Sequence, residues 1–434
     1  MTSSHQSIPN TKHPIQLRKI SRNAIQVMEK LHHEGFEAYL VGGAIRDMYL
    51  GKEPKDFDVA TNATPEECKN LFKRQARIIG RRFQIVHVRF GREIIEVTTF
   101  RGNHNADEVS PKKNQASAAN ASGMLLRDNV FGNIEEDAIR RDFTCNALYY
   151  SEHDEKVHDF VQGIDDIQKH TLRLIGEPSV RYSEDPVRML RAIRFAAKLN
   201  FNIETDTESA ISPNASLLAG IPSSRLFDES LKLFFQGSSL STFKLLCEYG
   251  LLPFLVQDIE NYLEQPKYLK LFELALRNTD RRIQQGKTIT PAFLWAIFLW
   301  PKLQNRIQVI QQTDSIPLTP ALHEAASQCI TEQNHVAAIP KRFSTTMREI
   351  WALQLSLPRT NGKRPFKTFS HPRFRAAYDF LLLREEAGET PTEFGPWWTE
   401  FQKDNIPEPR PSRPNYDKSD TRKRPRRRKP SINS

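Results

Sequence analysis

Apolar residues at Ile15, Leu17, Ile20, Ile25, Val27, Met28 and Leu31 recur at nearly helical spacing and predict a helix over residues 15–34, ended by Gly35. The pattern then changes. An apolar run from Phe36 to Val41 reads as a strand entering Gly42-Gly43, and residues 46–50 read as a short helix closed by Gly51. Residues 57–60 form the next strand. Thr64-Pro65-Glu66-Glu67 is a helix start, with a capping threonine, proline at the first helical position and acids in the first turn. Further strands are predicted at 78–79, 84–90 and 93–100. The sum is a small α/β unit with a mixed sheet.

The stretch 103–123 is rich in Asn, Ala, Ser and Lys, almost without apolar residues, and is expected to be a mobile loop. From 134 to 151 a helix turns into a strand, 156–161 is a strand, and 163–176 is a connector. After Tyr182 the pattern is helical almost to Gly388, with helices expected at 186–199, 224–235, 241–248, 291–299 and 374–385. Beyond residue 405, Pro, Arg, Lys and Ser dominate and no core can form. The expected division is a disordered segment 1–14, an α/β head 15–151, a neck 152–240, an all-α body 241–405 and a disordered basic tail 406–434.

Composition narrows the class. The 434 residues are 26% charged and 38% hydrophobic, as in a soluble globular chain. No apolar run is long enough to span a membrane, and residues 1–12 lack the apolar core of a secretory signal. The four cysteines are far apart and read as ordinary thiols of a reducing cytoplasm. Net charge is +10, of which residues 407–434 supply +7, ten Lys/Arg against three acids. The partner implied is a polyanion, met first by Arg422, Lys423, Arg424, Arg426, Arg427, Arg428 and Lys429.

Candidate chemistry sits on the early strands. Asp56 and Asp58 are two apart, so on a strand both project to one face with Phe57 turned into the core. Two adjacent carboxylates repel unless a cation lies between them, and such a pair suits Mg²⁺ held together with substrate phosphates. Gly42 and Gly43 allow phosphates to approach backbone N–H groups, and Arg46 adds positive charge; Asp47 is expected to brace the turn. Glu96 alternates with the apolar Ile95 and Val97, making it the candidate third carboxylate, unless the strand lies at an edge and Glu96 simply faces solvent. Arg140-Arg141-Asp142 is either an exposed helix end or a set of phosphate-binding cations with an acid for a ribose hydroxyl or for metal. Asp185 before Pro186 could be an ordinary helix cap. But Arg188, Arg191 and Arg194 recur on one side of the following helix, and Asp185 with Arg188 could read the edge of a base. His158-Asp159 lacks the further ligands a metal phosphohydrolase would need.

The stretches LVGGAIRD (40–47), KDFDVATNATPEE (55–67), EEDAIRRDFTCNAL (135–148) and EDPVRMLRAIRFAAKL (184–199) together resemble the class II nucleotidyltransferases of the DNA polymerase β-like superfamily, which are bacterial poly(A) polymerases and CCA-adding enzymes. Residues 79–88, the helical region around 339–343, 351–354 and 371–379, and the basic tail resemble the poly(A) polymerase branch. The resemblance implies a cytoplasmic enzyme that transfers AMP from ATP to RNA 3′ ends without a template, uses two Mg²⁺ ions and has no membrane partner. It implies that Asp56 and Asp58 hold the metal and places Asp142 among the active-site carboxylates. Glu96 falls where CCA-adding enzymes carry a third carboxylate, so the division between Glu96 and Asp142 stays open. Gly42, Gly43 and Arg46 fall on the phosphate-cradling turn. Asp185 and Arg188 fall on the base-reading motif of a nucleotide-selecting helix in the neck, with Arg140, Arg141 and Arg191 beside the nucleotide, and the helical body 241–405 is expected to bind RNA and guide the strand through backbone contacts. The rivals are a CCA-adding enzyme and a non-catalytic RNA-binding protein.

Overall fold

The computed structural model describes residues 5–80, 84–102, 117–119, 125–128 and 130–405. Its head is built on an eight-stranded sheet. In chain order the strands are β1 (Gln6–Ile8), β2 (Ala38–Val41), β3 (Asp58–Thr61), β4 (Ala76–Ile79), β5 (Ile85–Phe90), β6 (Glu93–Thr99), then β7 (Ser117–Ala119) and β8 (Leu125–Asp128) in a separate ribbon, and β9 (Leu148–Ser151) and β10 (Lys156–Asp159). The order across the large sheet is β1-β10-β9-β2-β3-β6-β5-β4. All its pairs are antiparallel except β3 with β6, which run parallel with Asp58 opposite Glu96 and Val59 opposite Val97. The mixed sheet expected from the sequence is therefore present.

Alternation along these strands separates two faces. Leu40, Val59, Ile95, Val97, Leu148 and Tyr150 enter the large apolar cluster. Helices α1 (Arg22–His33) and α3 (Pro65–Phe72) pack on that side. Val41, Ala60 and Tyr149 face the other way, in a small cluster with Phe100, Ala138 and Phe160. Asp58 and Glu96 belong to this second face. Thr64 and Glu67 form a complete capping box at the start of α3, as the sequence predicts.

Several boundaries differ from the pattern reading. The first helix begins at Arg22 rather than at residue 15, because the Ser21 side chain caps it and a 3-10 turn at Leu17–Lys19 precedes it. Ile15 and Ile20 are buried without being helical. Gln6–Ile8, expected to be disordered, pairs with β10, where it satisfies backbone groups of an otherwise open edge. Part of the expected loop 103–123 is strand, since β7 pairs antiparallel with β8. The rest of that stretch lies outside the described residues, as does the tail 406–434. The connector 163–176 contains a helix, α5 (Gly163–Gln168), and a short strand.

After α2 (Gly43–Tyr49), α4 (Ile134–Arg140) and α5 in the head come α6 (Pro178–Glu184) and α7 (Val187–Leu199) of the neck. Nine of the thirteen residues of α7 are buried, and it packs on both α10 (Ser223–Phe234) and α11 (Ser239–Glu248). Between them lie the short helices α8 (Thr205–Ser209) and α9 (Ile211–Asn214). The body continues as α12 (Glu260–Leu263), α13 (Pro266–Gln284), α14 (Pro291–Phe298), α15 (Trp300–Asp314), α16 (Leu318–Val336), α17 (Lys341–Gln354), α18 (Arg364–Phe369), α19 (Phe374–Glu386) and α20 (Phe394–Asp404). One apolar cluster runs from Ile15 through α7 to Ala387, so head, neck and body share a core. A second, aromatic cluster around Trp398, Phe374 and Tyr378 closes the far end.

Candidate active site

The turn from β2 into α2 requires a left-handed residue. Gly42 has φ +78°, a region where an L side chain is strained, and its N–H donates to the Leu148 carbonyl at 3.3 Å. A Cβ there would meet nothing closer than 3.8 Å, so backbone conformation rather than crowding demands glycine.

Arg46 departs from its expected place on the phosphates. It is 3% exposed; its Nε and Nη2 bond Asp47 at 2.9 and 2.6 Å, and Nη1 donates to Asn146. Its charge is already spent on bracing the glycine turn, the work expected of Asp47 alone.

Strand β3 begins at Asp58, so Asp56 lies just before it. Phe57 is buried in the same cluster as Val59, which turns Asp58 to the opposite face as the alternation predicts. Burial pushes the Asp58 carboxyl up to about 6, with Glu96 and Asp56 adding to the rise and Arg141 opposing it. Glu96 is on an interior strand between β3 and β5, not at an edge, and its side chain is 47% exposed; its Oε1 lies 3.2 Å from His87 Nε2. Among the described residues no three His, Cys, Asp or Glu side chains converge into a ready-made metal cluster.

Arg141 follows α4 and is fully engaged in orientation. Its Nε bonds the Tyr149 hydroxyl at 2.8 Å, and Nε and Nη2 reach Asp137 Oδ2 at 3.1 and 2.9 Å. Its Nη1 lies 4.0 Å from where a Gly42 Cβ would be. The cation is thereby held between the glycine turn and Asp58. Arg140 donates to the Gly102 carbonyl.

Asp142 is not drawn to Asp58. It pairs with Arg191 and lies 3.6 Å from Arg188 Nε. These arginines, with Arg181 and Arg101, outweigh burial and hold its carboxyl down at about 2. The structure therefore makes Glu96, not Asp142, the strand-to-strand neighbour of Asp58.

Asp185 does not cap α7 with its side chain, so ordinary capping does not explain it. Its Oδ2 instead accepts from Arg225 Nη2 at 2.8 Å. Arg188 is 8% exposed; Nη1 donates to the Arg181 carbonyl at 2.7 Å and to Glu184 at 2.9 Å. Asp185 Oδ1 and Arg188 Nε are buried with no hydrogen-bond partner, one acceptor and one donor in the same short segment. Arg194 lies over the Phe195 ring at 4.4 Å.

Sequence reasoning missed Asp137, Tyr149, Asn146, Arg181 and Arg225. Asp137 had a signal, being four residues before Arg141, which closes α4. Arg225, forty residues from Asp185, had none. His158 and Asp159 take structural roles: Asp159 accepts from the N–H groups of Val161, Gly163 and Ile164, and His158 contacts His5 at 3.1 Å.

Three family models match the chain: Poly A polymerase head domain over residues 38–173, Probable RNA and SrmB- binding site of polymerase A over 200–263, and Polymerase A arginine-rich C-terminus over 314–431. Poly(A) polymerase I of Haemophilus influenzae is 47% identical over 396 residues, spanning 90% of this chain and 86% of that protein. Poly(A) polymerase I of Escherichia coli O6:H1 is 48% identical over 400 residues, spanning 91% of this chain and 85% of that protein. A crystal structure of a tRNA nucleotidyltransferase complexed with a primer tRNA and an incoming ATP analog shares the fold, with TM-score 0.57 at 22% identity over 88% of this chain and all of that one.

Proposed function

This chain belongs to the poly(A) polymerase family, and we propose from that premise how its residues divide the work. It is a polynucleotide adenylyltransferase: it transfers AMP from ATP to RNA 3′ ends without a template, releasing pyrophosphate. Its substrates are a nucleotide and RNA, and divalent-metal dependence goes with the nucleotidyltransferase family.

Asp56 and Asp58 would hold two Mg²⁺ ions, with Glu96 adding negative charge from the next strand. The residues would fit the ions: a half-buried carboxyl pushed up by burial and then by neighbouring acids would gain from a divalent cation, and substrate phosphates would add further oxygen ligands. When bound, the metal would lower the pKa of the RNA 3′-hydroxyl and offset charge on the leaving pyrophosphate. The protein's own part is positioning and fixed charge. The Gly42-Gly43 turn gives phosphates close access to backbone, and Arg141, locked by Asp137 and Tyr149, supplies a preoriented cation. Arg46 holds that turn from behind. Asp185 and Arg188 offer one acceptor and one donor to the base, with Arg225 fixing the first and Glu184 the second. Asp142 orients Arg188 and Arg191. The tail adds RNA affinity through unselective phosphate contacts. Among the described residues no helix is long and apolar enough to cross a membrane; a cytoplasmic location agrees with the polyanionic partner.

The observation that carries this reading is Asp58, in register with Glu96, its carboxyl pushed up by burial first and by Glu96 next. With RNA, Mg²⁺ and labelled ATP or CTP offered separately, Asp56→Ala should lose AMP incorporation while RNA binding persists. Incorporation near the wild-type level would refute the metal assignment. CTP use with a stop after three additions would favour a CCA-adding activity.

A further inference from the structure

A cavity of about 530 Å³ lies in the body, with none of the candidate site residues in its lining, between the C-terminal end of α13, the turn leading to α14, and helices α17 and α19. That volume suits one nucleotide. Its rim carries five cations, Arg281, Arg282, Lys287, Arg373 and Arg375, against two carboxylates, Asp379 and Glu386. Three of the cations are already fixed: Arg373 pairs with Glu349 at 2.8 Å, Arg375 with Asp379 at 3.0 Å, and Arg282 donates to the Thr288 carbonyl at 3.1 Å. No carboxylate pairs with Arg281 or Lys287 among the described residues, and both are exposed. The lining also includes the apolar side chains of Ala275, Phe293, Leu382 and Leu383, and the amide of Asn278.

This composition selects a ligand class. Uncommitted cations together with aromatic and apolar side chains suit an anion with a flat uncharged part. A free metal ion is disfavoured by the positive rim, and a lipid chain by cations on several sides. The surrounding sequence adds four further cations, Arg359, Lys363, Arg364 and Lys367, between Glu349 and Asp379, the acids that pair with Arg373 and Arg375. A field of that length matches a polyanionic strand better than a single small anion.

We propose that this cavity binds one nucleotide unit of the single-stranded RNA substrate, its base against Phe293 and its flanking phosphates on Arg281 and Lys287. The site anchors RNA upstream of the growing end. Stacking on an aromatic ring tolerates any base, which suits a strand elongated without a template. The proposal rests on the RNA-adenylating reading but concerns binding alone.

The test is equilibrium binding of fluorescent oligoadenylate to the full chain across a salt series, without ATP. The double variant Arg281→Gln with Lys287→Gln is expected to bind about tenfold more weakly, with a log–log salt slope shallower by about 1.4. Phe293→Leu is expected to weaken binding and keep the slope. A control with equal charge loss on the head, Lys30→Gln with Lys69→Gln, is expected to bind as the wild type. Affinity and slope in the double variant equal to that control would overturn the proposal. So would equilibrium dialysis showing two ATP per wild-type chain and one per double variant, since free nucleotide would then own the cavity. AMP incorporation by the wild type is measured separately. Its absence would count against the catalytic reading and leave the binding result standing.

Discussion

Asp58 and Asp142 are half-buried carboxylates of the candidate site, and they are shifted in opposite directions. Asp58 sits on a sheet face beside Glu96 and Asp56, and its carboxyl rises to about 6. Asp142 sits among Arg188, Arg191, Arg181 and Arg101, and its carboxyl falls to about 2. Burial pushes both carboxyls up; at Asp58 it prevails, with Glu96 and Asp56 adding to it, and at Asp142 the arginines reverse it.

The sharpest way to break this contrast is Asp58→Asn. We expect AMP transfer, followed with labelled ATP, to fall about a thousandfold or more. Thermal stability at pH 7 should not fall. Asp58 has a raised folded pKa, so its ionisation costs stability as pH climbs from about 4 through about 6. The amide removes that cost, and a large drop in melting temperature would contradict the arrangement.

Asp142→Asn should behave oppositely. Leaving two arginines without their acid should cost about 2 kcal/mol in urea unfolding at pH 7. Because the folded pKa of Asp142 is depressed, its contribution is present above about 4 and is lost as pH falls towards about 2. The variant should lack that portion of the acid limb. Equal pH profiles for wild type and variant would refute the ion-pair assignment.

Arg225→Met tests the acid next along the chain. Freed from Arg225, Asp185 loses its orientation, and the KM for ATP should rise about tenfold with a smaller change in kcat. A fall in kcat alone would point instead to the reacting atoms. The smallest effect is expected from Glu96→Gln. Removing one like charge beside Asp58 should move the acid limb of activity to lower pH by less than one unit. A shift to higher pH would reverse the sign of the interaction.

Much of this site was readable along the chain. Period-two alternation around Phe57 and around Ile95 and Val97 placed Asp58 and Glu96 on the face away from the main core, where they are. The threonine-capped helix after β3 and the long helical body follow equally local rules. Other features were hidden. Arg46 has the charge to bind phosphate, yet Asp47 and Asn146 claim it, and Asn146 is a hundred residues away. Ile15 and Ile20 mimic a helical stripe because burial was their only requirement, which backbone outside a helix can also meet.

The sequence by itself determined most of the helices and strands, the glycine turn, the spacing of the acids and the recurrence of the arginines, because each depends on residues within about one helical turn or one strand. The tertiary structure alone decided which charge meets which. The parallel pairing of β3 with β6 brings Glu96 to Asp58, α10 carries Arg225 to Asp185, and α7 carries Arg191 to Asp142. Electrostatic energy depends on distance through space, and sequence separation does not encode it.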